Sequence, residues 1–227
     1  HLRQRQIDGI IIISAIRNDP IIASCRENDI PVVVSDGGIG ETELPGLILD
    51  DQSGMRSVVA HLTRLGHRKI ALMSGPRHLS TAVSRHAAAL KAIHEQDIDV
   101  DSRLIRFCED FSTEAGRHAC RLLLDQKIDF TAIITTHDHY AMGVIAAMYN
   151  RNLQCPADYS VTGYNGIRHS KWLKPSITTV ELPKREMGAR MAEIMLRRLK
   201  DPGGEVERVV IHPTLIERQS TGPSRLS

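Results

Sequence analysis

Short, unbroken apolar runs recur along this chain, and each is followed by a segment of different periodicity. Ile10-Ile11-Ile12-Ile13, Val32-Val33-Val34, Ile70-Ala71-Leu72-Met73 and Ala132-Ile133-Ile134 contain no polar alternation. A strand with one wetted face alternates; an uninterrupted run belongs to a strand covered on both faces, as in parallel sheets. Parallel neighbours need crossover connections, and the intervening segments supply them. Met55, Val58, Val59, Leu62 and Leu65 recur at helical spacing, with Gly66 as a left-handed stop. Ser112 stands where an N-cap would open a helix running to Leu124, and His139 to Tyr149 reads as another. Strands and helices in alternation define an α/β fold.

Further elements fill the series. Pro20 to Asn28 reads as a helix, Leu47 to Leu49 as a brief strand, Thr81 to His94 as a helix, and Leu104 to Phe107 and Ser160 to Gly163 as strands. Lys184 to Lys200 reads as a long helix burying Met187, Met191, Ile194, Met195 and Leu199, with Arg197, Arg198 and Lys200 at its dipole-negative end. Val206 to Ile211 reads as a terminal strand, and Gln219 to Ser227 as a polar tail, disordered or crossing between lobes. Ser35 to Gly46 holds several glycines without the GxGxxG order, which predicts a surface loop and no dinucleotide cradle.

A net charge of +2 argues against nucleic-acid binding by the whole surface of these 227 residues. The four cysteines are scattered with no CxxC pair, so neither a zinc site nor a redox motif is expected. No apolar run is long enough to span a bilayer.

Ligand-type residues fall in the loops that follow strands. These are Asp50-Asp51, Arg85 beyond Gly75-Pro76, Phe111, His137-Asp138, and Asn165 in an Asn165-Gly166 pair suited to a turn or to positive φ. In open α/β sheets, ligands bind at the carboxyl ends of strands. An aromatic face beside bidentate polar groups suits a sugar or another small polyol. His137 and His139 form an HxH pair resembling that of metal-dependent hydrolases. The helical spacing of Tyr140-Ala141-Met142-Gly143 undercuts this, and no further ligand stands at a recognisable interval. Neither a GxSxG serine nor a paired acid and base is found, so no catalytic residue, metal or cofactor is expected.

Several ordered motifs resemble the effector-binding core of the LacI/GalR family of bacterial transcriptional regulators. They are Ile7-Asp8-Gly9-Ile10-Ile11, Leu65-Gly66-His67-Arg68-Lys69-Ile70-Ala71 with Ser74-Gly75-Pro76, and Ala132 to Gly143. Gln154 to Gly166, Leu173 to Gly188 and His212 to Thr221 complete the set. The resemblance implies a two-lobed, type I periplasmic-binding-protein-like fold, with an effector between lobes joined by three crossings. Carried over by position, the effector-binding residues are Arg85, Phe111, His137, Asn165, Thr81, Asp51 and Lys184. Three departures stand out: Ala88 where a glycine is usual, His137 where asparagine is common, and Asn165 for the aspartate of GFDD or GYDD. The last two favour an acidic or phosphorylated sugar over a neutral one.

The expected division is a partial N-terminal lobe at 1–75, a C-terminal lobe at 76–163, an inter-lobe crossing at 164–185, and a helix, closing strand and tail at 186–227. Relative to the family, the DNA-binding helix-turn-helix and the first strands of the N-terminal lobe are missing. A longer polypeptide is therefore expected, with Ile10 to Ile13 left at an exposed edge. The expected function is effector sensing in a cytoplasmic, homodimeric regulator that contacts operator DNA through an N-terminal domain absent from this sequence and acts by ligand-induced lobe rearrangement. The alternative is a periplasmic sugar-binding protein of a transport system.

Overall fold

The computed structural model describes residues 7–13, 19–36 and 44–226, without the side chain of Asp36. In chain order the elements are β1 (Ile10–Ile13), α1 (Pro20–Glu27), β2 (Val32–Asp36), β3 (Gly46–Leu49), α2 (Asp51–Arg64), β4 (Ile70–Ser74) and α3 (Ser80–His94). There follow β5 (Ile105–Phe107), α4 (Thr113–Asp125), β6 (Ala132–Thr135), α5 (Asp138–Tyr149), β7 (Ser160–Asn165), β8 (Thr178–Glu181), α6 (Lys184–Lys200), β9 (Arg208–Ile211) and β10 (Thr214–Ile216). The loop expected at Ser35 to Gly46 lies mostly outside the described residues. Of its ends, Ser35 and Asp36 finish β2 and Gly46 opens β3.

The chain divides into two compact units, and α3 is shared between them. The first comprises residues 1–50, 78–84 and 183–212, and the second 51–77, 85–182 and 213–227. The first break in the chain falls after Asp50.

The first unit holds a wholly parallel sheet in the order β1-β2-β3-β9. Ile22 and Cys25 of α1 pack with Val32 and Val34, and Ile10 and Ile12 lie against them. β1 is an edge strand, and Ile11 and Ile13 are exposed at 43% and 71%. An unbroken apolar run therefore has only one face covered among the described residues, as the edge expectation had it. α6 packs on β2 and β3 through Met191, Ile194 and Met195. Met187 is only partly buried and Leu199 is exposed, so the expected apolar face of α6 is narrower at both ends.

The second unit carries a sheet in the order β10-β8-β7-β6-β4-β5. It is parallel except for β10, which pairs antiparallel with β8. Its core joins Met73, Ile133 and Val161 from the strands to Cys120, Leu123, Tyr140 and Val144 from α4 and α5. Those two helices touch closely at Gly143, where a Cβ would stand 2.1 Å from the Thr113 carbonyl oxygen and 2.5 Å from the Arg117 nitrogen. Ser112 caps α4 as expected, its Oγ accepting from the Ala115 N–H at 3.0 Å. Gly66 stops the segment after α2 at φ 86°.

Two sequence readings fail at the carboxyl-terminal end. Thr214–Ile216 forms a further strand beyond Val206 to Ile211, which was read as the terminal one; it is a run too short to show a period. The polar tail is docked in the second unit: Ser220 donates through Oγ to the Val161 carbonyl at 2.6 Å, and its own carbonyl accepts from Val161 N–H at 2.8 Å. Buried His67 lies 2.9 Å from both Thr131 Oγ1 and Ser160 Oγ, and 3.0 Å from the Gly222 carbonyl. Polarity in this tail meets buried partners, so it marks attachment instead of disorder.

Candidate functional site

At the carboxyl edge of the six-stranded sheet, β4, β5, β6 and β7 deliver successive loops, and five of the seven sequence-selected residues belong to this unit. Asp51 opens α2, where a carboxylate suits the positive end of the helix dipole. It is 2% exposed, and its Oδ1 accepts from Arg85 Nε at 3.2 Å and from the Tyr164 hydroxyl at 2.8 Å. Arg85, 4% exposed, also donates from Nη1 to the Thr136 carbonyl at 3.2 Å and lies over the Tyr164 ring, 4.3 Å from its centroid. Around this one guanidinium two buried polar atoms have no hydrogen-bond partner among the described residues, Asp51 Oδ2 and Thr136 Oγ1. Such atoms are costly unless something else satisfies them.

Phe111 and His137 meet in a second cluster, ring centroids 4.9 Å apart, with Tyr140 6.0 Å from Phe111. Phe111 is held by its backbone, since its carbonyl is 2.9 Å from His139 Nδ1. Tyr140 donates to the Asp110 carbonyl at 2.7 Å, and burial pushes its phenol well above the ordinary range, so it remains a donor. His137 is the N-cap of α5, its Nδ1 accepting from the His139 N–H at 3.3 Å. Both rings of the HxH pair are thereby engaged in local structure, and among the described residues no group of three metal-ligating side chains forms.

Asn165 ends β7 with φ 99°, and Gly166 follows at 62°, the conformation expected of the pair. A strained non-glycine at a strand's carboxyl end is a frequent mark of a working site. The turn is fastened by Asp138, fully buried at the start of α5. Asp138 Oδ1 accepts from Thr179 Oγ1 at 2.5 Å and Oδ2 from the Ile167 N–H at 2.6 Å. Sequence reasoning grouped Asp138 with the ligand residues; its oxygens instead tie the turn to α5. Thr81 and Lys184 belong to the first unit, the former buried and the latter exposed as the first residue of α6. Tyr164 and Thr136 were missed as site residues, although each adjoins a residue that was chosen.

Residues 59–221 match the family described as periplasmic binding protein-like domain. The HTH-type transcriptional repressor PurR of Salmonella paratyphi B is 31% identical over 229 residues, covering 99% of this chain and 67% of that protein. The chain belongs to the periplasmic-binding-protein-like family of LacI-type regulators. A LacI-type regulator from Bacillus cereus subsp. cytotoxis superposes on this LacI-type core with a TM-score of 0.93 at 27% identity, covering 99% of this chain and 79% of that one. A LacI family regulator from Enterococcus faecium with bound ribose gives 0.85 at 29%, covering 99% and 83%. These relatives are named as regulators and none of them as an enzyme. No helix among the described residues of this LacI-type core is long and apolar enough to cross a membrane.

Proposed function

We propose that this chain is the effector-binding part of a LacI-type, DNA-binding transcriptional regulator, and that its effector is a sugar or sugar derivative held at the carboxyl edge of the six-stranded sheet. The observation that carries this reading is the pair of unsatisfied buried atoms around Arg85, Asp51 Oδ2 and Thr136 Oγ1, at the edge that also presents Phe111, His137 and Asn165. A hydroxyl-rich ligand offers a donor to the carboxylate and a partner to the threonine, while an aromatic face accepts a sugar ring. The ribose-bound relative and the repressor relative support the same class.

The proposed effector residues remain Arg85, Phe111, His137, Asn165, Asp51, Thr81 and Lys184, without catalytic, metal or cofactor chemistry. The protein would work in the cytoplasm as a homodimer, reaching operator DNA through the part of the relatives' length that this chain does not span. An effector that binds one arrangement of the lobes better than another shifts the population toward it. The lobe boundaries read from sequence belong to this proposal.

Calorimetric titration with a panel of neutral and acidic pentoses and hexoses tests the reading. We expect saturable binding of one member and a loss of about tenfold in affinity for Phe111→Ala. Binding of a sugar with equal affinity to both proteins would remove Phe111 from the site. Failure of every sugar to bind would refute the sugar class.

A further inference from the structure

The effector edge as proposed leaves unexplained a second stack, built where β4 and β5 end. Phe107 is the last residue of β5. The Arg77 guanidinium lies over its ring, 3.8 Å from the centroid, and the His86 imidazole packs on it at 4.7 Å and 49°. His86 is fixed from behind: its Nδ1 is 2.8 Å from Oγ of Ser74, the fully buried end of β4. Burial first, and then the Arg77 charge, hold this imidazole below its ordinary range, so it is neutral near pH 7.

Some arginines of this unit hold a carboxylate, while Arg68, Arg106 and Arg218 hold carbonyl or hydroxyl oxygens. Arg56 has Glu95, Arg64 has Glu217, Arg103 has Asp101, Arg117 has Glu114 and Arg151 has Asp125. Arg77 is exposed and has no ion pair among the described residues; an aromatic ring holds it instead. Stacking occupies the face of a guanidinium and leaves its rim of N–H donors for bidentate contact with an oxyanion.

We propose that Arg77, held on Phe107 beside His86, forms an anion-recognising subsite that takes the phosphate or carboxylate group of the effector. This rests on the reading of the same sheet edge as the effector site, and it names the ligand as an acidic sugar derivative. Arg77 supplies the fork, Phe107 keeps it planar to the sheet end, and His86 adds a polar ring edge.

The test uses inorganic phosphate, ribose and ribose 5-phosphate on the wild-type chain and on Arg77→Gln. With nitrogen-15-labelled protein, phosphate should give a saturable shift of the Arg77 side-chain resonance and of the Phe107 amide. The Phe107 shift should vanish in Arg77→Gln. The sugar phosphate should bind about tenfold or more tightly than ribose, as one charge-assisted bidentate contact allows, and Arg77→Gln should erase that margin without changing ribose affinity. Absence of a phosphate-dependent shift at Arg77, or its survival at Phe107 in the variant, overturns the subsite. If phosphate binds at Arg77 while the sugar phosphate binds no better than phosphate alone, the subsite stands as a free-anion site and the effector reading of this edge falls.

Discussion

Replacing Arg85 with methionine keeps most of the aliphatic volume and removes the charge, and its consequence can be worked from the pair it forms. The Arg85 and Asp51 side chains are 5% and 1% exposed, so neither is screened by water. Without the guanidinium, Asp51 Oδ1 keeps only the Tyr164 hydroxyl, and Oδ2 still has no partner among the described residues. Breaking one side of a buried ion pair typically costs about 3–5 kcal/mol, because an uncompensated charge remains in the interior. With a urea slope of about 1–3 kcal/mol/M, the unfolding midpoint of the second unit should fall by roughly 1–5 M. The double variant Arg85→Met, Asp51→Asn removes both charges and should recover more than half of that loss, a strong departure from additivity. The assay is urea unfolding followed by far-ultraviolet circular dichroism on wild type, both single variants and the double. A loss below about 1 kcal/mol for Arg85→Met would put the pair on the scale of surface ion pairs and refute the buried-pair argument. So would two single losses that simply add. The buried pair makes stability the first casualty of losing Arg85. Loss of binding therefore identifies a ligand contact only where the double variant, refolded to near wild-type stability, fails to bind as well.

Gly143→Ala should lower stability by about 1–3 kcal/mol, because the added Cβ would meet backbone atoms of Thr113 and Arg117 that no rotamer can move aside; an unchanged thermal midpoint would refute the close α4–α5 contact. His67, buried and held below the ordinary histidine value of about 6.5 chiefly by desolvation, is neutral in the folded chain and takes up a proton on unfolding in acid. Stability should therefore be fully present above about pH 6.5 and decline as pH falls from there toward the lower folded value, by up to about 1.4 kcal/mol per pH unit for one such group. His67→Gln should flatten that part of the stability–pH curve, measured by urea titration at a series of pH values, and an unaltered slope would mean that another group sets it.

The fold was legible wherever a long-range partner was not needed to read it. β6 and α6 fall where apolar continuity and helical period put them, and Ser112 and Gly66 cap and stop their helices by local chemistry. What failed depended on what lies opposite. β1 reads like β4, yet β4 is buried along its whole length and β1 shows alternate residues to solvent, because only one of its faces is covered among the described residues. β10 is a strand by virtue of Glu181, Val180 and Thr179 across from it. The tail from Gln219 is fixed by His67, Val161 and Thr178, all more than forty residues away in sequence.

The site shows the same limit more sharply, because residue type reveals capacity for hydrogen bonding without revealing who uses it. Asp51, Arg85, Asp138 and Asn165 all qualify on chemistry and on position after a strand. Geometry then sorts them. Asp138 accepts Thr179 Oγ1 and the Ile167 N–H, one per oxygen, and so holds the Asn165 turn. Asp51 gives both of its contacts to Oδ1 and leaves Oδ2 unsatisfied among the described residues. Two buried aspartates of equal standing in the sequence thus take different parts, one fastening the wall and the other retaining acceptor capacity beside Arg85. That difference directs mutagenesis: asparagine at 138 should loosen the turn, since neutral amide bonds to the Ile167 N–H and the Thr179 hydroxyl replace the stronger charge-assisted ones of the carboxylate, whereas asparagine at 51 acts on the acceptor a ligand hydroxyl would use.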